Sequence, residues 1–161
     1  MKNKSLDIAS SVEWIKSGKI LVHPTEGIWG LGCDAFNEDA VNKIFKIKRR
    51  SKNKSFILLS ESLDFLKKYI QNLNKKDEKF LENYWPGPVT FLIKYNQNLP
   101  KHLHTENEKI AVRVSNHLPI KQLLKHFSGL MVSTSSNLSG DGIIQDPLKI
   151  LAYQYDIVCN G

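Results

Sequence analysis

Two cysteines, Cys33 and Cys159, are the only thiols in this 161-residue chain, and they form no CxxC pair. A disulfide framework and a cysteine-based structural zinc site have no support, so both read as ordinary packed thiols. No stretch approaches the about twenty consecutive apolar residues that a membrane span needs. The opening Met1-Lys2-Asn3-Lys4-Ser5 passes straight into an amphipathic pattern, without the apolar core and small-residue cleavage site of a signal peptide. These absences predict a cytoplasmic protein with no membrane attachment. GxGxxG and a Walker lysine are missing as well, and no Ser-His-Asp grouping is visible. The five histidines, His23, His102, His104, His117 and His126, show no metal-ligand spacing, so no metal site is expected.

What is present suits one domain over residues 1–161, because no repeat, long charge block or linker divides it and 41% hydrophobic residues can bury a core. Lysine and arginine number 23 against 16 acids, a net charge of +7. Such a balance fits a polyanionic partner and, equally, a solvated lysine-rich surface. Leu6, Ile8, Ala9, Val12 and Ile15 recur at helical spacing, Ser17-Gly18 closes that segment, and Lys19 to His23 is a short β-rich run. Asn37 offers an N-cap, Glu38 and Asp39 suit the positive end of a helix, and Ala40, Val41, Ile44, Phe45 and Ile47 supply its apolar stripe. Strands are predicted at Phe56–Leu59, Val89–Tyr95, Ile110–Val114 and Leu130–Ser133. Helices are predicted at Leu63–Ile70, Lys75–Tyr84, Pro119–His126 and Pro147–Tyr153. The class is α/β, with helices covering a central sheet whose strand order spacing alone does not supply.

Three segments could carry chemistry. His23 to Asp34 packs Gly27, Gly30 and Gly32 into six residues after a strand, which fits either a tight turn between strands or close approach of backbone to a ligand. Lys48 to Lys54 holds five cations in seven residues at a helix C-terminus. The helix dipole alone favours cations there, yet a fork-shaped arginine beside point-charge lysines also suits a polyphosphate. Val132 to Gly140 sets five hydroxyls and Asn137 at a strand end, a pattern that closes turns and also matches several phosphate oxygens.

Taken in order, Pro24-Thr25-Glu26, Gly30-Leu31-Gly32-Cys33-Asp34, Lys48-x-Arg50, Trp85-Pro86-Gly87-Pro88-Val89-Thr90, Ala111-Val112-Arg113-Val114 and Ser133 to Gly140 resemble the YrdC-like family, in its short TsaC-type threonylcarbamoyl-AMP synthase form. The resemblance runs from about Leu6 to Gly161. It implies a twisted open sheet flanked by helices, with a basic concave face. It also implies an enzyme that makes L-threonylcarbamoyl-AMP and pyrophosphate from L-threonine, bicarbonate and ATP with Mg²⁺, for modification of the adenosine next to the anticodon of tRNA. By similarity Lys48, Arg50, Ser135 and Asn137 hold the ATP phosphates, and Lys54 adds a contact. Thr25, Arg113 and Ser133 match positions that contact threonine, Arg113 as the partner of its carboxylate. A downstream threonylcarbamoyl transferase complex and weak binding of tRNA or double-stranded RNA are further partners the resemblance and the charge imply. Neither Glu26 nor Asp34 is given a role as a general base.

Two departures from the family stand out: Ser51 occupies a position that usually holds proline, and the chain is expected to lack the family's last C-terminal segment beyond the strand-like Tyr155–Gly161. The competing reading is a non-catalytic module that binds tRNA or rRNA on the same basic face.

Overall fold

The computed structural model describes residues 6–51, 54–136 and 142. The helix expected at Pro147–Tyr153 and the strand expected at Tyr155–Gly161 lie outside them. Helix α1 (Ile8–Lys16) begins at Asp7, whose carboxylate accepts the Ser10 N–H at 2.7 Å and so satisfies one of the donors every helix start leaves open. Val12 and Ile15 face inward, and Gly18, at φ 73°, turns the chain into β1 (Leu21–His23). Strand β2 is Gly30–Asp34. Helix α2 (Glu38–Ile47) is capped as its sequence predicts, with the Asn37 side chain accepting from the Ala40 N–H at 2.9 Å and Ala40, Val41, Ile44 and Ile47 buried.

The chain continues through β3 (Ile57–Ser60), α3 (Leu63–Leu66), α4 (Lys75–Glu82), β4 (Phe91–Lys94), a 3₁₀ turn at Lys101–Leu103, β5 (Lys109–Val114), α5 (Leu118–Phe127) and β6 (Met131–Ser135). Helix α3 is shorter than the predicted Leu63–Ile70 because the following carbonyls are captured elsewhere. The Asn96 amide donates to Lys68 O at 3.1 Å and Ile70 O at 2.7 Å, and Ile70 bridges Tyr95. His102 lies within the 3₁₀ turn and His104 follows it, their Nε2 atoms bonded to the carbonyls of Ala35 and Leu99.

Among the described residues the sheet is open and six-stranded, in the order β1-β2-β6-β3-β5-β4. Only β3 and β5 run parallel; the other neighbours are antiparallel. Directly paired residues share a face, so the register Leu21–Gly32–Ser133–Ile57–Ala111 defines one side of the sheet. Helices α1 and α5 cover part of that side, packing Val12, Ile15, Ile120 and Leu124 on Leu59 and Met131. The opposite side carries Cys33, Leu58, Val112 and Val132 against Ile44 of α2 and Leu66, Leu81 and Trp85. Burial there pushes the Cys33 thiol up to about 12, so it packs as an inert apolar group.

The glycine-rich segment divides between the two readings the sequence leaves open. Residues 24–29 form the turn, while Gly30 and Gly32 lie within β2, where the His23 ring lies against them. A methyl group on Gly30 would stand 2.7 Å from His23 Cε1, and one on Gly32 would stand 3.0 Å from Cδ2 and from Val132 O. Since His23 is buried at 1% exposure, the ring has nowhere to swing. Gly30→Ala is therefore expected to destabilise the protein by about 1–3 kcal/mol, the usual cost of overpacking. Thermal unfolding checks this, and a Tm equal to that of the parent would contradict the packing described.

Candidate active site

A cavity of about 320 Å³ opens on the sheet side that α1 and α5 leave uncovered. Thr25, Arg50, Arg113, Ser133 and Ser135 line it, with Trp29 and Phe56 among its apolar walls. Five of the eight residues singled out from the sequence thus meet in one place. Lys48 sits directly behind the lining. Lys54 stays outside: its side chain is exposed, and its carbonyl accepts from Arg50. Asn137 lies outside the described residues.

Each lining group is held by local structure. The Thr25 hydroxyl donates to Ile28 O and accepts the N–H groups of Gly27 and Ile28 at 3.4 and 3.2 Å, closing the turn between β1 and β2. Arg50 follows Arg49, whose φ of 47° lets the chain leave α2 sharply. Its Nη2 donates to Ser55 O at 2.7 Å, its Nε to Lys54 O at 3.3 Å, and its guanidinium lies 5.2 Å from the Phe56 ring. These bonds and a Lys54 N–H to Ser51 O bond of 3.1 Å shape the turn at the position where the family usually has proline. Partial burial lowers the Arg50 pKa from its ordinary value.

Lys48 caps the C-terminus of α2 and is 2% exposed. Its Nζ donates to Ser135 O at 2.6 Å and to Ser135 Oγ at 3.3 Å, tying helix end to strand end. Burial, aided by the nearby Arg50 charge, pushes the ammonium down to about 8. Arg113 Nε donates to Thr90 Oγ1 at 2.9 Å, while Nη1 lies 3.5 Å from Glu26 Oε2. The other Glu26 oxygen accepts from Ser115 Oγ at 2.5 Å, and Ser115 in turn accepts the His117 N–H at 3.1 Å. Burial works to raise the Glu26 carboxyl, but the Ser115 hydroxyl, its own backbone N–H and Arg113 outweigh that and hold it below the ordinary value.

Glu26, Thr90, Ser115 and His23 are members of the site that carried no assigned role in the sequence. Glu26 and Thr90 fall inside quoted motifs, whereas Ser115, 89 positions from Glu26, gives no local signal. The structure also brings Ser133 Oγ to 3.3 Å from His23 Nε2, a pairing spacing does not show. It does not form a nucleophilic triad, because the other ring nitrogen meets the Pro24 carbonyl at 3.1 Å, not a carboxylate, and burial pushes His23 down to about 4. Two guanidinium groups and several hydroxyls lining one cavity fit a ligand that carries negative charge at more than one point.

The strand order and the arginine- and hydroxyl-lined cavity make this an α/β domain with a concave site suited to an anionic ligand. The Sua5/YciO/YrdC family model, described as telomere recombination, matches residues 13–159, and the chain belongs to that family. A threonylcarbamoyl-AMP synthase from Methylococcus capsulatus is 37% identical over 136 residues, which cover 84% of this chain and 73% of the relative. The E. coli YciO crystal structure superposes with a TM-score of 0.80 at 27% identity, over 90% of this chain and 71% of that one. P. abyssi Sua5 complexed with L-threonine shares the fold, with a TM-score of 0.81 at 24% identity; the match covers 92% of this chain and 45% of that longer protein.

Because the folded-state pKa of Glu26 is depressed, its ionised form contributes stability above the unfolded value near 4.5, and that contribution is lost as pH falls through the lower folded value. Glu26→Gln should be less stable than the parent at neutral pH, with the gap narrowing on acidification. Urea titrations at pH 7 and pH 3.5 check this, and a gap that widens at low pH would contradict the linkage.

Proposed function

We propose that this chain makes L-threonylcarbamoyl-AMP and pyrophosphate from L-threonine, bicarbonate and ATP, for the threonylcarbamoylation of tRNA adenosine. The observation that carries the reading is the convergence of Thr25, Arg50, Arg113, Ser133 and Ser135 on one cavity, in a chain whose curated relatives bear that activity's name. Threonine's amine takes up bicarbonate as a carbamate with loss of water. A carbamate oxygen then attacks the α-phosphorus of ATP in line, and pyrophosphate leaves. The protein's task is positioning and charge neutralisation, with no covalent intermediate, and a site without an activated nucleophile suits it.

Arg113, braced by Thr90 and Glu26, takes the threonine carboxylate, and Thr25 and Ser133 complete that subsite. Arg50 and Ser135 meet the phosphates and Lys48 adds charge from behind Ser135; Asn137 and Lys54 are nucleotide contacts by resemblance to the family alone. Mg²⁺ enters bound to ATP as part of the substrate. The substrates place the reaction in the cytoplasm, upstream of a transferase that delivers the group to tRNA. Exposed Lys43 and Lys46 on α2, with Arg49 just past its end, support an additional weak, salt-sensitive contact with RNA phosphates. A module that only binds RNA is not favoured, since Arg50 and Arg113 line a pocket walled by Trp29 and Phe56 and the curated relatives bear the synthase's name.

Arg50→Ala is expected to lower threonine- and bicarbonate-dependent exchange of pyrophosphate into ATP by roughly 10²–10³-fold, the loss typical of a preorganised charge donor. Exchange at the parent rate would remove Arg50 from the site. ATP affinity should weaken as pH rises through about 8, where Lys48 loses its proton, and Lys48→Arg should move that limb to higher pH. Calorimetric titrations between pH 6.5 and 9.5 measure it; identical profiles for the two proteins would show that Lys48 does not contribute its charge.

A further inference from the structure

His23 stands on β1 and Ser133 on β6, with β2 between them, yet their polar atoms lie 3.3 Å apart. The imidazole spans a whole strand, which requires that strand to present no side chain. Gly30 and Gly32 meet the requirement, for a Cβ at either would press into the ring. The sheet thus contains a slot built for one imidazole, and the slot fixes the ring's orientation.

Orientation in turn fixes the protons. Nδ1 lies 3.1 Å from the Pro24 carbonyl oxygen, which only accepts, so Nδ1 carries the hydrogen. Burial keeps the ring neutral near pH 7, leaving Nε2 a bare lone pair. Ser133 faces that lone pair with a single O–H to give. Once it donates to His23, the hydroxyl turns only acceptor lone pairs toward the cavity it lines.

We propose that His23 is a positioning residue that locks the Ser133 hydroxyl as a hydrogen-bond acceptor for the nitrogen of bound threonine. This rests on the threonylcarbamoyl-AMP reading above. A freely rotating serine could donate to a carboxylate as readily as accept from an amine. A locked one accepts only, so it selects the orientation that sends the carboxylate to Arg113 and the nitrogen to Ser133. The nitrogen keeps at least one N–H as amine, as carbamate and in the mixed anhydride with AMP, so one acceptor serves the whole reaction.

The test has two parts. Long-range ¹⁵N–¹H correlation on the parent protein at pH 7 should show His23 protonated on Nδ1 alone; a proton on Nε2 would overturn the proposal, and this part needs no variant. Calorimetric titration with threonine then compares the parent with His23→Phe, Ser133→Ala and the double variant. His23→Phe keeps a ring in the slot and should weaken threonine about tenfold while leaving ATP affinity near that of the parent. The double variant should be no worse than Ser133→Ala, and His23→Gln, which retains an acceptor, should recover part of the loss. Independent, multiplying effects of the two substitutions, or equal losses for threonine and ATP, would overturn the proposal. A parent chain that binds no threonine would overturn the proposed function itself, and the ligand named for Ser133 with it, whatever the His23 tautomer.

Discussion

Strand β6 is hydrogen-bonded to β2 on one side and β3 on the other, and the site exists only while both pairings hold. Gly30 opposes Ser135, Gly32 opposes Ser133, and Ser133 opposes Ile57 across the second ladder. A slip of one residue would turn Ser133 and Ser135 to the other side of the sheet, among the apolar groups that pack on α2. The register is held by those apolar groups: Val132, between the two serines and Met131, is wholly buried against the opposite core, and Met131 is wholly buried under α1 and α5. Apolar burial on both sides of one short strand therefore decides where the hydroxyls point.

The two arginines of the cavity are supported differently. Arg50 leans on the carbonyls of Lys54 and Ser55 and on the Phe56 ring, and among the described residues no acidic side chain lies within ion-pair distance of it. Carbonyls orient a guanidinium without cancelling its charge, so Arg50 presents nearly its full field to whatever enters. Arg113 instead shares its charge with Glu26. Arg50 is thus uncompensated by an acidic side chain among the described residues and Arg113 is partly compensated, an asymmetry that suits a polyphosphate beside the first and an amino acid beside the second.

Much of this was legible in the sequence, for physical reasons that differ by element. Helix α2 could be drawn nearly to its ends because Asn37, Glu38, Asp39 and the apolar stripe all act within one helix. Helix α3 could not, because its end is decided by Asn96, 28 positions from Lys68. Strand β2 was hidden for the opposite reason: two of its five residues are glycines, whose place in the sheet is justified only by the His23 ring that fills the space above them. The cavity's members came from ordered motifs that resemble a family. The contacts that aim them, His23 to Ser133 and Glu26 to Ser115, join residues 110 and 89 positions apart and leave no trace in local pattern.

The Glu26–Arg113 pair sets the terms on which any carboxylate enters that wall. The arriving anion meets a guanidinium already engaged at Nη1 and must either displace Glu26 or sit beside it, adding a second negative charge to the cluster of Arg113, Ser115 and His117. Sitting beside it raises the proton affinity of Glu26, because like charges disfavour ionisation. Ligand uptake at this wall is then coupled to proton uptake by Glu26. Displacement instead turns Glu26 into an internal competitor that speeds the ligand's departure, giving the site rapid exchange in place of tight retention.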